Sequence, residues 1–229
     1  MNNLFNQIRL VSHWLSSSAQ WHGEDGIPHR LAQHLAYSGI SLLAAAIIGL
    51  ALGLLGGHTG RGGFAVSSLV NLGRAIPTIG LVILIFNQVG LNSTPVLLAL
   101  VALAVPPILV NTYEGIRGVD PDIKDAARGM GLTGSLVLWK VEVPMALPLI
   151  FLGLRTAAVQ VVATATIMAV PGFGGLGRYI VDGLARNDYE LVIGGTVVIV
   201  ILAILVQLLF AALRRFIVSP GLQGAARKS

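Results

Sequence analysis

The chain contains no cysteine, which excludes disulfides, thiolate metal sites and cysteine nucleophiles. It is poor in charge: Asp, Glu, Lys and Arg make up 11%, against about 25% in a soluble domain. Aromatic residues make up only 6%. There is no G-x-x-x-x-G-K-[ST] sequence, so the chain is not expected to bind ATP through a P-loop. No His, Asp and Glu cluster has metal-ligand spacing, and no metal or cofactor is expected. All five histidines precede residue 59, on what reads as a tail and one loop, so no Ser-His-Asp set is suggested and no catalytic residue is assigned.

What is present is apolar. Hydrophobic residues make up 55% and the mean hydropathy is +0.81. The apolar runs are too long for a soluble core, so one integral membrane domain is expected. The runs are continuous rather than alternating, which predicts an all-α membrane protein and excludes a β-barrel. Five spans are expected, near residues 36–57, 64–87, 93–113, 145–170 and 190–213. The formal charge of +5 sits mainly at span ends, where membrane orientation explains it better than nucleic acid does.

An odd number of spans puts the termini on opposite sides. With the C-terminus in the cytoplasm, the inside holds Arg61, Arg117, Lys124, Arg128, Lys140, Arg214, Arg215, Arg227 and Lys228, and the outside Arg9, Arg30, Arg178 and Arg186. That excess of basic residues inside supports an N-terminus outside and a C-terminus inside. Residues 1–35 then form an extracytoplasmic or interfacial segment, 36–213 the transmembrane domain, and 214–229 a basic cytoplasmic tail. The N-terminus lacks the continuous apolar stretch of a signal peptide. Leu4, Ile8, Val11 and Leu15 instead recur at helical spacing, which predicts an amphipathic helix in the interface with Trp14 at headgroup depth.

Inside the spans, Gly49, Gly53 and Gly57 form overlapping G-x-x-x-G steps suited to close helix packing. Pro77, Pro106 and Pro107 are expected to bend or interrupt their helices. Arg74 and Arg155 are costly in lipid; either they snorkel to the surface or they line a polar pathway. Asn71, Thr164 and Thr166 are further pathway candidates, on polarity at membrane depth alone. Gly172, Gly174 and Gly177 match G-x-G-x-x-G, but no strand precedes them, so a dinucleotide site is not expected. With Pro171 and Gly175, they are expected to close the fourth span in a mobile re-entrant turn, a candidate gate.

The polar interruption at 114–144 carries the most specific pattern. Asp120 suits an N-cap, Pro121 the first helical position, Asp122 the positive end of the dipole and Gly131 a left-handed stop. These residues predict a short helix over 121–130. Ile123, Ala126, Ala127 and Met130 fall on one apolar face at i, i+3, i+4, i+7 spacing. Thr133 is a candidate cap for a second short helix carrying Trp139, and Pro144 marks entry to the fourth span.

This stretch resembles the EAA loop of binding-protein-dependent ABC transporter permeases, E-A-A-x3-G-x9-I-x-L-P. Here the matching residues are Asp125, Ala126, Ala127, Gly131, Val141, Val143 and Pro144, with Asp for Glu and Val for Ile and Leu. HTGRGG, RAIPTIG, PPILVNTYEGIRGVDPDIKDAARGMG and GLRTAAVQVVATATIMAVPGFGGLGRYIVDGLARNDYE are similar to permeases of osmoprotectant importers, which carry glycine betaine, choline, carnitine or proline betaine. The resemblance implies a type I importer permease core like that of methionine permeases. It implies a coupling helix that docks into an ATPase subunit through Asp125, Ala126, Ala127, Met130, Gly131 and Pro144. It also implies a second permease, identical or paralogous, an extracytoplasmic solute-binding protein, a bacterial cytoplasmic membrane, and ATP and Mg held by the ATPase rather than by this chain. Amino-acid importers share the EAA loop, so a methionine or polar amino-acid permease is the nearest alternative. An independent channel or secondary transporter is more distant, because none of the ten acidic residues lies in the interior of an expected span, Glu114 and Glu190 sitting at span edges, and no internal repeat is evident.

Overall fold

The computed structural model describes residues 2–64, 66, 68, 77–90 and 92–217. Every regular element among them is helical. In chain order they are α1 (Asn2–Ser16), α2 (Ile27–Thr59), α3 (Thr78–Val89), α4 (Thr94–Arg117), α5 (Pro121–Gly129), α6 (Gly134–Val137), α7 (Val143–Thr164), α8 (Gly177–Arg186) and α9 (Tyr189–Ile217). Among the described residues, four helical segments are long and apolar enough to cross a membrane: Ile27–Thr59, Thr94–Arg117, Gly134–Ala169 and Tyr189–Ile217. They correspond to the first, third, fourth and fifth expected spans. The second, 64–87, falls largely outside the described residues, and α3 is its longest described part.

The boundaries move in instructive ways. α2 has 33 residues, a rise of about 50 Å. It begins at Ile27 rather than near residue 36, because the polar turns around His29, Arg30 and Gln33 hydrogen-bond one another and the rest of the fold. His29, His34 and His58 therefore lie on a helix, not on a tail or loop. α4 runs unbroken through Pro106 and Pro107. A membrane helix can carry a proline pair without ending; further along this segment Asn111 Nδ2 donates to Pro107 O at 2.7 Å.

The chain forms two compact units. The first comprises residues 1–41, 78–100 and 159–206. Its main core gathers Trp14, Ile27, Val162, Leu176, Tyr179, Ile199 and Leu202. Trp14 is 4% exposed and meets Tyr179 edge-on at 5.3 Å. Gly194 and Gly195 of α9 lie directly against the Trp14 and Tyr179 rings, where a side chain would collide. The Trp14 side chain is thus packed into a protein core: a tryptophan on an amphipathic helix serves such a core as readily as a lipid interface, and the two glycines make the pocket. Burial pushes the Tyr179 phenol up to about 12, with Arg30 opposing and Asp25 adding to the shift; its hydroxyl donates to Asp25 O at 2.7 Å.

The second unit comprises the described residues within 42–77, 101–158 and 207–217. Gly49, Gly53 and Gly57 of α2 face Ile108, Thr112 and Ile116 of α4. A Cβ on them would lie 2.9, 2.6 and 2.7 Å from the respective Cβ atoms. The i, i+4, i+8 glycine stripe thus seats a matching stripe on the neighbouring helix, the close packing its spacing predicts. Ile116 joins Ala146 and Ile150 of α7 in a cluster against which Leu50 and Leu54 of α2 pack.

Candidate functional site

α5 forms as its residues dictate. Asp120 Oδ1 accepts from Asp122 N at 2.9 Å, and Pro121 occupies the first turn. At the other end Gly131 adopts φ +86°, and its N–H donates to Arg128 O while Leu132 N donates to Ala127 O. Both caps are thus as expected. Thr133 stands at the N-cap of α6 with extended backbone, but its hydroxyl makes no capping bond.

The faces of α5 divide differently from the periodicity. Ile123 is 40% and Met130 75% exposed, and Ala126 is exposed with them. Ala127 is 2% exposed and turned into the fold. Ala126 and Ala127 are about 100° apart around a helix, so a pattern counting both as apolar cannot tell which belongs to which face. The inner stripe is Lys124 and Ala127; the outer is Ile123, Ala126 and Met130. Asp125 and Arg128 pair at 3.0 Å on the exposed side.

Beneath α5 lies a cluster that the sequence reading passed over. Glu142 is 1% exposed. Its Oε2 accepts from His58 Nδ1, near the end of α2, at 2.6 Å. Its Oε1 lies 3.4 Å from Lys124 Nζ of α5, which also donates to Ile116 O of α4 at 3.0 Å. Glu142 closes a π-helical turn, Leu138–Glu142, in which Val143 N–H reaches back five residues to Leu138 O. Pro144 has no N–H to continue the regular ladder, which favours the wider turn. One signal was available: Glu142 is a lone acid between Val141 and Val143, just before Pro144 and the apolar run. Trp139, on the same turn, is exposed.

The remaining candidates are dispersed. Asn71 and Arg74 lie outside the described residues. Arg155 is half-buried on α7 in the second unit. Thr164, Thr166, Pro171, Gly172, Gly174 and Gly175 belong to the first unit. Thr166 is occupied locally, its hydroxyl donating to Ala163 O at 3.0 Å. The turn after α7 makes specific contacts with the start of α2. Gly172 and Gly175 take φ +91° and +92°, and Gly175 N donates to Gln33 Oε1 at 2.9 Å. Gly174 packs directly on the Gln33 side chain, and Gly177 on the Thr166 backbone. Among the described residues, no group of three or more His, Asp and Glu stands where it could hold a metal ion.

Known proteins resemble this chain along most of its length. The family described as binding-protein-dependent transport system inner membrane component matches residues 45–219. The glycine betaine/carnitine/choline transport system permease protein OpuCB of Bacillus subtilis (strain 168) is 34% identical over 196 residues, covering 86% of this chain and 90% of that protein. The osmoprotectant import permease protein OsmW of Salmonella typhimurium is 34% identical over 83% of this chain and 91% of its own length. Among solved structures, the inward-facing MetNI methionine ABC transporter superimposes with a TM-score of 0.73 at 24% identity, over 84% of this chain and 96% of that one.

Proposed function

This chain belongs to the binding-protein-dependent transport system inner membrane components, and we propose that it is the permease subunit of an ATP-driven osmoprotectant importer, engaging its ATPase through α5. The solutes are glycine betaine, choline, carnitine or proline betaine. The solute class is supported by relatives whose own names specify glycine betaine, carnitine and choline and which match over most of both chains. The coupling role is carried by one observation: a nine-residue helix, capped at both ends, baring Ile123, Ala126 and Met130 while Lys124 and Ala127 hold it to its own unit.

In this reading the permease has five spans, the second crossing near 64–87, and α5 lies in the cytoplasm. Two permeases, identical or paralogous, stand over two ATPase subunits that hold ATP and Mg. An extracytoplasmic binding protein selects and delivers the solute, which fits a permease whose spans carry few aromatic side chains for cation–π capture. ATP-driven closure of the ATPase pair moves α5 as a rigid body and, with it, the third and fourth spans, opening the pathway outward. Hydrolysis returns it.

The test is reconstitution in liposomes with the cognate ATPase and binding protein. The expected result is ATP hydrolysis stimulated by glycine betaine or choline, with matching uptake of the labelled solute. Stimulation by methionine or a polar amino acid instead would replace the solute assignment, and failure to co-purify with any ATPase would overturn the permease role.

A further inference from the structure

The Glu142 cluster joins three helices of one unit. Lys124 stands on α5, His58 near the end of α2, and Glu142 on the turn that leads into α7. The His58 imidazole also fills the space over Gly134 at the start of α6, where a Cβ would lie 3.7 Å from Nε2. Burying a carboxylate costs several kcal/mol unless it is paired. A buried pair is nevertheless a poor way to gain stability, because apolar residues of similar volume commonly do as well or better. The cluster therefore calls for a reason other than adhesion.

Its bond lengths supply one. Glu142 Oε2 is engaged by His58 at 2.6 Å. Oε1 is buried and makes no hydrogen bond of ordinary length; its nearest cation, Lys124 Nζ, stands off at 3.4 Å. That ammonium also donates one of its three N–H groups to Ile116 O at 3.0 Å. Lys124 thus bridges two acceptors on different elements, a carbonyl at the end of α4 and the buried carboxylate of Glu142.

We infer that Lys124, Glu142 and His58 form a buried latch that transmits movement of α5 to α2 and α7. Lys124 ties α5 at once to the end of α4 and to Glu142, whose bond to His58 carries a shift of α5 to α2. These are positioning residues: none touches solute or nucleotide. The inference rests on the proposed coupling role of α5 and adds the route by which that motion reaches helices α5 does not itself continue.

The decisive material is the reconstituted transporter carrying Lys124→Met, Glu142→Gln, or both. Each single change leaves one buried charge without its partner and is expected to lower both assembly and transport. The double change leaves no unpaired charge, so the complex is expected to assemble with the thermal midpoint and basal ATP hydrolysis of the unaltered protein. If the latch transmits, solute taken up per ATP hydrolysed by the double variant nonetheless falls about fivefold or more, the range of ordinary coupling energies. A double variant that transports at the original ratio overturns the inference. So does a loss of uptake in every variant that merely follows the amount of assembled complex. Should the unaltered protein itself show no solute-stimulated hydrolysis, the failure lies with the permease reading, and the latch falls with it.

Discussion

Ala126 and Ala127 are neighbours of one type with opposite surroundings, and that difference is testable. Ala126→Glu places charge on the exposed face of α5, so the permease is expected to insert and keep its thermal midpoint while ATPase co-purification is lost. Ala127→Glu drives an unpaired carboxylate into a site that is 2% exposed, a cost of several kcal/mol. Reduced yield of folded permease is therefore expected before any question of coupling arises. Comparing monodisperse yield in detergent with ATPase recovery for the two variants checks this; equal behaviour would mean the two faces are not as described. The sequence made both alanines legible as apolar and helical. It did not say which faced inward, because hydrophobicity cannot separate a side chain packed on its own fold from one kept bare for a partner. Glu142 was hidden for the complementary reason: a carboxylate in a polar stretch reads as solvated until tertiary contacts bring His58 and Lys124 to it.

Elements were read more successfully than residues, because capping is local chemistry. Asp120, Pro121 and Gly131 act within a few bonds of where they stand, and the ends of α5 follow. Asp120→Ala removes the bond to Asp122 N and is expected to cost α5 about 1 kcal/mol. Faster amide exchange confined to residues 122–131, with the spans unaffected, is the measurement that checks it. The glycine stripe of α2 is likewise a statement about one element against another. Gly53→Leu would force a branched side chain where even a Cβ comes within 2.6 Å of Thr112 Cβ. A loss of about 1–3 kcal/mol or more is expected from overpacking, read as a lower thermal midpoint of the solubilised permease. Boundaries were less legible. α2 begins at Ile27, inside what hydropathy marks as a polar leader, because Arg30, Gln33 and His34 find partners at Asp25, Gly175 and Val162. Those partners lie far along the chain or across a turn, and no local window contains them.

For the whole molecule, the absence of cysteine offers a direct test of orientation. Single cysteines at Ser18, exposed after α1, and Ser135, exposed after α5, report on one background-free chain. With the N-terminus outside, Ser18→Cys is expected to react with an impermeant maleimide in intact cells. Ser135→Cys is expected to react only after permeabilisation; the reverse pattern would invert the topology and remove α5 from the reach of any cytoplasmic ATPase. The sequence by itself determined the class of this protein, since long apolar runs with little charge have no stable state but helices in lipid. It also determined the capped helix of the polar 114–144 loop, whose signals act over a turn or two. Only the tertiary structure decided that Trp14 belongs to a protein core, that Ala127 faces inward, and that Glu142 ties α5 to α2 and the start of α7. Each of these depends on which distant residues come to lie alongside, a matter settled by close packing across the chain rather than by any local preference.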